Sequence, residues 1–336
     1  MAGVQPITDV RDISRIGYGF MASQALFAAL DLDLFGHLAA GPRDVDALAH
    51  ATGVAPARLI ALLSACVGLG LLGKDGEHYV NAPAAATYLV RSAPMYFGDY
   101  FRLQIARQVY PTLQHLPAAL AGERVDFYAK IQDPQEARQF SLAQHSGSLG
   151  PAHVVAGAVD LAGCRTLLDV GGGSGAFSMA LCRRQPALRA TILDFPSVQP
   201  TAEALIAGAG LADRIRFIPG DALSTDWPAD QDAVLMSYLM SAVAAARVTE
   251  LLDRARRSLG SGGRLLLHDF MLDDDRTGPP TAALWLLNNL ALDPDVASLT
   301  PGWLTEQVAR AGFESVEVRP IIPGITRLLQ AQAPSW

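Results

Sequence analysis

The sequence has few cysteines, little positive charge and no long apolar run, and each of these absences excludes a class of function. Its three cysteines, Cys66, Cys164 and Cys182, form no Cys-x-x-Cys pair, so no zinc site or redox dithiol is expected and a reducing compartment is favoured. Acidic residues outnumber basic ones, 33 to 26, which is the wrong sign for general nucleic-acid binding. The most apolar stretch, 59–73, is shorter than the roughly 20 residues of a membrane span, and residues 1–15 lack an apolar signal-peptide core. These absences predict a soluble cytoplasmic protein without membrane or nucleic-acid partners.

Length and composition predict two folded domains. The chain has 336 residues, of which 50% are apolar and 18% charged, and a typical domain takes about 100–200 residues. Helical periodicity dominates up to about residue 155, and short strands alternate with helices after it. We therefore expect one domain over residues 1–155 and a second over residues 156–336.

The first segment has the order of a winged-helix-like unit. An amphipathic helix over 14–34 is followed by short helices over 44–53 and 55–70, and Asp75-Gly76 then marks a tight hairpin. The stretch 54–70, which would enter a DNA groove, carries Arg58 as its one basic residue on an apolar background. This helix is expected to be buried, either in plain core or against another subunit, and DNA binding remains an outside alternative.

The second segment is typical of a doubly wound α/β domain. Apolar runs over 166–170, 190–194, 215–218, 233–236 and 264–268 predict buried strands, and helical segments lie between them. Alternation of this kind specifies a parallel sheet covered on both faces. Residues 317–319 and 325–330 predict a closing strand pair.

A glycine-rich loop over 168–175 follows the first of these strands and opens a helix. Such a motif is weak alone, but this position at a strand-to-helix turn is where open sheets bind ligands. No Gly-Lys-Ser/Thr follows, which excludes a nucleoside-triphosphate loop. Asp194 ends the second strand and Asp221 follows the third; each alone could be a helix cap, but together they suit a ribose-bearing cofactor. A nicotinamide dinucleotide and S-adenosylmethionine (SAM) both fit.

The sequence resembles the SAM-dependent small-molecule methyltransferases that carry an N-terminal dimerisation domain. The resemblance covers nearly the whole chain and is carried by blocks at 168–175, 192–196, 220–222, 259–267 and 311–313. It implies a Rossmann-like methyltransferase domain, a winged-helix-like dimerisation domain, SAM as cofactor and a homodimer. Tyr18 and Phe20 would then come near the partner's pocket.

The same resemblance implies roles for residues at successive strand ends. Gly171 and Gly173 would border the methionine part of SAM, Asp194 the ribose, and Asp221 with Ala222 the adenine. Ser237 stands where the family often has Lys or Arg near the cofactor carboxylate, so a charged contact is replaced by a hydroxyl at that position. The full expected cofactor set is Asp169, Gly171, Gly173, Asp194, Phe195, Asp221, Ala222 and Ser237.

The position of the family's catalytic base is altered. O-methyltransferases of this type place a His-Asp pair after the fourth strand, and here Ser241 and Ala242 stand there. Bacteriochlorophyll-pathway C-methyltransferases similarly have Ser-Ala, so the resemblance favours methyl transfer to carbon of a small aromatic or conjugated metabolite. Asp269 would act as a late proton acceptor, with Ser241 orienting the substrate. The alternatives are O-methylation of an acidic phenol and a non-methylating use of the cofactor.

Substrate contacts are expected on two helices. Gln144 and Ser148 lie four residues apart, and Gln144 matches a substrate-contacting position of the family. The expected set is Gln144, Ser148, Met240, Trp285, Asn288 and Asn289. His145 points elsewhere on an ideal helix and is expected at the surface or behind the substrate contacts. The histidines show no metal-ligand spacing, so no metal is expected.

Overall fold

The computed structural model describes residues 6–123 and 131–335. Contacts divide the chain between Gln108 and Val109, so the boundary differs from the one expected near residue 155. Residue 155 lies inside the long helix Pro134–Ala158, which packs against the helix Ala176–Arg184 that follows the glycine loop. A helical pattern had suggested the first domain, but packing assigns this helix to the second.

The N-terminal unit contains the expected helices and hairpin. Its helices are Val10–Asp31 (α1), Leu34–His37 (α2), Val45–Thr52 (α3), Pro56–Gly68 (α4) and Pro83–Tyr88 (α5), followed by a π-helical segment, Tyr100–Val109. Leu72–Asp75 (β1) and His78–Asn81 (β2) pair antiparallel. Local signals set these bounds, since the Asp44 carboxylate caps α3 at the Ala47 N–H and Gly53 ends it with φ +70°.

Helices α4 and α1 of this unit differ in whether their apolar side chains are buried or exposed. Leu59, Leu63 and Cys66 of α4 are fully buried in its core, as expected for a helix that does not enter a groove. The first half of α1 instead exposes a series of large apolar side chains: Val10, Ile13, Ile16, Tyr18, Phe20 and Met21. An exposed apolar face of this size is typical of an association surface.

The C-terminal unit is a doubly wound α/β domain, as predicted. Its helices are Tyr110–Leu113 (α6), Leu116–Leu120 (α7), Pro134–Ala158 (α8), Ala176–Arg184 (α9), Gln199–Gly208 (α10), Ala245–Ser258 (α11), Pro280–Leu292 (α12) and Pro301–Arg310 (α13). Its strands are Thr166–Val170 (β3), Arg189–Asp194 (β4), Ile215–Pro219 (β5), Gln231–Ser237 (β6), Leu259–Asp269 (β7), Glu314–Ile322 (β8) and Thr326–Gln332 (β9). The described strands form a sheet in the order β5-β4-β3-β6-β7-β9-β8, parallel from β5 to β7, with the predicted closing pair antiparallel.

Successive residues of the central strands pack into two separate hydrophobic cores, one on each face of the sheet. Leu167 packs into the core on one face with α8, α9 and α10, and Leu168 packs into the core on the other face with α11 and α13. Both are fully buried, and each such side chain contributes about 1.5–3 kcal/mol. Apolar runs without alternation therefore predicted the sheet, because both faces are covered.

Among the described helices, no single one is long and apolar enough to cross a membrane. The pair α3 and α4 passes that test only when taken together, and it is bent by 107°.

Candidate active site

The strand order reverses between β3 and β6, and the candidate site lies at their carboxyl ends. The chain runs outward from β3 through β4 to β5 and then returns to place β6 on the other side of β3. In open parallel sheets this reversal leaves a crevice in which ligands bind. The glycine loop follows β3, and the segment that carries Ser241 follows β6.

Glycines allow the loop after β3 to follow its path. Gly171 and Gly173 have φ values of +67° and +53°, a region that other residues rarely adopt. A Cβ at Gly172 would lie 2.7 Å from the Asp169 Cγ, and one at Gly175 would lie 2.8 Å from the Ile192 Cδ1. The loop therefore packs closely on the sheet, and α9 begins directly after it, so the helix N-terminus lies at the end of the loop.

Asp194 is tied to this loop by backbone hydrogen bonds. The Gly173 N–H donates to its Oδ2 and the Phe195 N–H to its Oδ1, both at 2.7 Å. Burial raises the pKa of Asp194, and the two amides oppose that rise. Each carboxylate oxygen keeps a further lone pair, so the group can accept hydrogen bonds from two hydroxyls.

Asp169 lies beneath the loop and not in the crevice. Its side chain has no exposed surface, its Oδ2 accepts from the Ser178 Oγ at 2.6 Å, and its Oδ1 has no partner among the described residues. Burial raises its pKa to about 7. The expectation that Asp169 contacts the cofactor is corrected: the side chain supports the loop from below, because the strand directs it into the domain.

The loop after β5 presents the remaining cofactor candidates. Asp221 is exposed, and its Oδ1 accepts from the Leu223 N–H at 2.9 Å. The Ala222 carbonyl accepts from the Trp227 Nε1 at 2.9 Å, and Phe195 lies partly buried at the end of β4. These residues extend the candidate site along the sheet edge from β4 to β5.

Ser237 takes part in a buried polar chain. Its Oγ lies 2.9 Å from the Nδ1 of His268, whose Nε2 lies 3.0 Å from the Thr326 Oγ1. His268 is fully buried, and burial lowers its pKa to about 3, so the ring is neutral. Ser237 therefore forms a hydrogen bond with a neighbouring strand, at the position where the family often has Lys or Arg.

Ser241 and Asp269 meet as the two catalytic candidates. Ser241 Oγ donates to Asp269 Oδ1 at 2.6 Å, and the Ser241 and Phe270 amides donate to the same carboxylate at 3.0 and 2.8 Å. Both residues are buried, and desolvation raises the Asp269 pKa to about 6 in spite of these bonds. A carboxylate with this pKa suits proton transfer near neutral pH.

A short 3-10 helix, Met240–Ala242, holds Ser241 beside the glycine loop. A Cβ at Gly171 would lie 3.2 Å from the Leu239 Cδ1, so the two segments are in contact. Tyr238 has a φ of +58°, an outlier for a bulky residue, and such backbone strain is concentrated at functional sites. Its ring packs on the rings of His268 and Phe270, which holds the turn in place.

Helix α12 supplies an amide and an aromatic surface next to this pair. Asn289 Nδ2 donates to the Ser241 carbonyl at 2.9 Å, and Asn288 Nδ2 lies 3.3 Å from the Asn289 Oδ1. The Trp285 ring stacks on Phe270 with 4.9 Å between ring centroids. Three of the predicted substrate residues, Trp285, Asn288 and Asn289, thus lie around Ser241, although Asn288 is buried.

One other expectation needs correction, and a second one can be narrowed. Met240 is fully buried in the core beneath α11, because the 3-10 turn directs it inward, so it does not line the site. Of the two places expected for His145, the structure excludes the surface: its Nδ1 lies 3.1 Å from the Ser174 Oγ in the glycine loop. Helical spacing could not reveal this contact, which depends on how α8 packs on α9. Gln144 and Ser148 on α8 are partly buried, and their contact with a substrate stays a prediction.

The arrangement fits SAM as the cofactor. Glycines at positive φ border a helix N-terminus. The Asp194 carboxylate is fixed at the end of the adjacent strand, and each of its oxygens can accept a further hydrogen bond. No group of three or more metal-ligating side chains occurs in the part of the chain that the structure describes.

Comparisons with known proteins agree with this geometry. Residues 115–314 match the O-methyltransferase domain family, and residues 15–91 match the O-methyltransferase dimerisation domain. Two similar curated proteins are the tetracenomycin polyketide synthesis 8-O-methyl transferase TcmO of Streptomyces glaucescens and the 3-hydroxy-5-methyl-1-naphthoate 3-O-methyltransferase of Streptomyces sahachiroi. TcmO is 32% identical over 94% of this chain and 96% of its own, and the naphthoate enzyme is 34% identical over 83% and 82%.

A solved structure extends the likeness to the whole fold. Human N-acetylserotonin methyltransferase in complex with SAM matches with a TM-score of 0.89 and 26% identity, covering 99% of this chain and 100% of that one. The two curated relatives are named as O-methyltransferases, so methyl transfer to carbon, expected from the Ser-Ala pair, finds no support in them. The chain belongs to the O-methyltransferase family and is a SAM-dependent methyltransferase with an N-terminal dimerisation domain.

Proposed function

We propose that this enzyme methylates the oxygen of an acidic hydroxyl on a small aromatic metabolite, with Asp269 accepting the proton through Ser241. The observation that carries the proposal is the buried Ser241–Asp269 pair, joined at 2.6 Å. It stands where the family places its catalytic base. The relatives named for a tetracenomycin polyketide and a hydroxynaphthoate support an aromatic substrate of secondary metabolism.

The pKa of the acceptor favours an acidic substrate hydroxyl. Burial raises the Asp269 pKa to about 6, and each unit of pKa mismatch costs about 1.4 kcal/mol in proton transfer. An ordinary phenol with a pKa of about 10 would therefore lose about 5 kcal/mol to the transfer, whereas a hydroxyl with a pKa of about 7 would lose about 1 kcal/mol. A phenol acidified by a conjugated ketone or quinone carbonyl fits this site better than a simple phenol.

SAM supplies an electrophilic methyl group on a sulfonium when it is bound. The substrate hydroxyl gives its proton to Ser241 Oγ while the Ser241 proton passes to Asp269 Oδ1, so that the hydroxyl oxygen becomes nucleophilic. Asn289 holds the Ser241 carbonyl and so keeps the serine aimed at Asp269. Phe270 and Trp285 offer a stacked apolar surface for an aromatic ring.

The cofactor contacts are proposed from the same geometry. Gly171 and Gly173 border the methionine part, Asp194 accepts hydrogen bonds from the ribose hydroxyls, and Asp221 with Ala222 lies along the adenine. The two backbone amides on Asp194 favour its charged form, which is the better acceptor for hydroxyls.

The reaction is tested by locating the transferred methyl. The enzyme is incubated with methyl-¹³C SAM and a panel of hydroxynaphthoic acids and hydroxyanthraquinones, and carbon NMR identifies the labelled position. A methoxy signal is expected, with faster turnover for the more acidic hydroxyls. A carbon- or nitrogen-bound methyl would contradict the proposal, and binding of SAM with no transfer to any metabolite of a lysate would favour a non-methylating role.

A homodimer through α1 forms the second part of the proposal. The family match to a dimerisation domain and the exposed apolar residues of α1 support it, with Ile13, Ile16 and Phe20 spaced along one side of the helix. Ile16→Asp is expected to shift the sedimenting species from dimer to monomer, whereas His78→Asp on the exposed hairpin leaves it unchanged. A wild-type protein that sediments only at 35.6 kDa at micromolar concentration would rule the dimer out.

A further inference from the structure

The glycine loop is held in place by a contact with a helix as well as by contacts with the sheet. The Nδ1 of His145, on α8, lies 3.1 Å from the Oγ of Ser174, which stands 29 residues further along the chain. Ser174 is 4% exposed, and it lies between Gly173, whose amide reaches Asp194, and Gly175, the residue that precedes α9. The contact therefore fixes the middle of the segment that carries the cofactor candidates.

The two kinds of anchor act on different parts of the loop. From the sheet, Asp169 packs beneath Gly172 and Asp194 accepts from the Gly173 amide. From outside the sheet, α8 packs along α9, so the position of His145 is set by helix packing that the loop itself does not control. An anchor of this kind restricts the loop even when no ligand fills it.

We infer that His145 is a positioning residue for the cofactor loop, holding Ser174 so that the Gly173 amide and Asp194 are preorganised for SAM. Burial lowers the pKa of His145, which favours the neutral ring, and in the Nε2–H tautomer its Nδ1 accepts the Ser174 O–H. The inference rests on the SAM dependence of the family and is independent of which atom receives the methyl.

The test measures binding of S-adenosylhomocysteine (SAH) by titration calorimetry. His145→Phe keeps a flat ring but removes the nitrogen, and loss of one such hydrogen bond is expected to raise the SAH Kd about three- to tenfold. His145→Asn is expected to restore the Kd to within twofold, because the Asn side-chain amide ends at about the same distance from the backbone as Nδ1. His153→Phe, at an exposed position on the same helix, is the matched control and is expected to leave the Kd unchanged.

A double-mutant cycle separates this contact from general damage to the fold. Ser174→Ala removes the same hydrogen bond from the other side, so the double variant His145→Phe/Ser174→Ala is expected to bind no more weakly than the weaker single variant. Equal Kd values for His145→Phe and His153→Phe, failure of His145→Asn to rescue binding, or additive effects in the cycle would overturn the inference. Methyl transfer to an atom other than oxygen would overturn the proposed reaction but leave this result in place.

Discussion

The cofactor side and the acceptor side of the crevice both depend on a carboxylate, but they hold it by different means. Asp194, at the end of β4, is fixed by two backbone amides. Asp269, at the end of β7, is held by two amides and by the hydroxyl of Ser241, and Ser241 is in turn held by Asn289. Main-chain amides alone hold the first carboxylate, whereas the second is held by main-chain amides and, in addition, by the Ser241 side chain, which Asn289 supports.

This difference indicates which side of the crevice is more sensitive to substitution of its side chains. Backbone amides are present whatever the residue type, so a SAM site built on them tolerates sequence change around it. A proton acceptor built from Asp269, Ser241 and Asn289 is altered by each substitution, and its pKa is set by burial. If the proposed sites are right, we expect the cofactor side to retain the general function of the family and the acceptor side to determine which substrate reacts.

The largest expected effect is on the acceptor side. Asp269→Asn removes the proton acceptor, and we expect kcat for methyl transfer to fall about a hundredfold or more, since general bases contribute about 10²–10⁴. The SAH Kd is expected to stay within threefold of wild type, which separates the two sides. Unchanged kcat in a folded Asp269→Asn variant would contradict the proposed role.

The cofactor side is tested by Asp194→Ala. Loss of two hydrogen bonds to a charged acceptor, at about 1.5–3 kcal/mol each, is expected to raise the SAH Kd about a hundredfold or more in calorimetry. Asp226→Ala, on the exposed part of the loop after β5, is the control and is expected to bind normally. Wild-type affinity in Asp194→Ala would remove the ribose assignment.

The pH dependence sharpens the comparison further. Because burial raises the Asp269 pKa to about 6, the carboxylate is ionised above that pH and protonated below it. We expect kcat/KM to fall about tenfold per pH unit as pH drops below about 6 and to level off above it. SAH affinity measured over the same range distinguishes loss of the acceptor from loss of binding, and a flat rate profile down to pH 5 would contradict Asp269 as acceptor.

Ser241→Ala is expected to have a smaller effect. The variant removes the hydroxyl that joins substrate and carboxylate but keeps Asp269, so kcat is expected to fall about tenfold, in the range of one hydrogen bond to a charged group. Ser258→Ala removes another buried serine hydroxyl, one that donates to the Pro228 carbonyl, and it should lower stability without changing kcat. Equal kcat values for the two variants would indicate that Ser241 only fills space.

The smallest effect is expected for Asn289, which supports Ser241 from helix α12. Asn289→Ala removes the donor to the Ser241 carbonyl, and we expect kcat to fall about threefold with no change in SAH Kd, because the amide acts through Ser241. Thr281→Ala at the start of α12 serves as the control on the same helix. A change in SAH Kd as large as the change in kcat would show that Asn289 affects both sides of the crevice.

Much of the fold and part of the site could be predicted along the chain. Buried strands such as Thr166–Val170 produce continuous apolar runs, and Asp194 lies at a strand end at a fixed spacing from the glycine loop. Met240 was wrongly expected to line the site, because the sequence does not show which way a 3-10 turn directs its side chains. The contacts divide the chain before α8 and not near residue 155, and the sequence could not show this because the helical pattern of α8 fits either unit.

By itself, the sequence determined the order of helices and strands, the glycine loop at its strand-to-helix turn, and the serine at the position of the family's base. These features depend on local residue types and on spacing. Only the tertiary structure decided that Ser241 donates to Asp269, that Asp169 lies beneath the loop, and that His145 reaches Ser174. Each of these contacts joins segments set by the pleat of a strand, the turn of a helix or the packing of α8 on α9, and burial at those contacts sets the pKa values on which the chemistry depends.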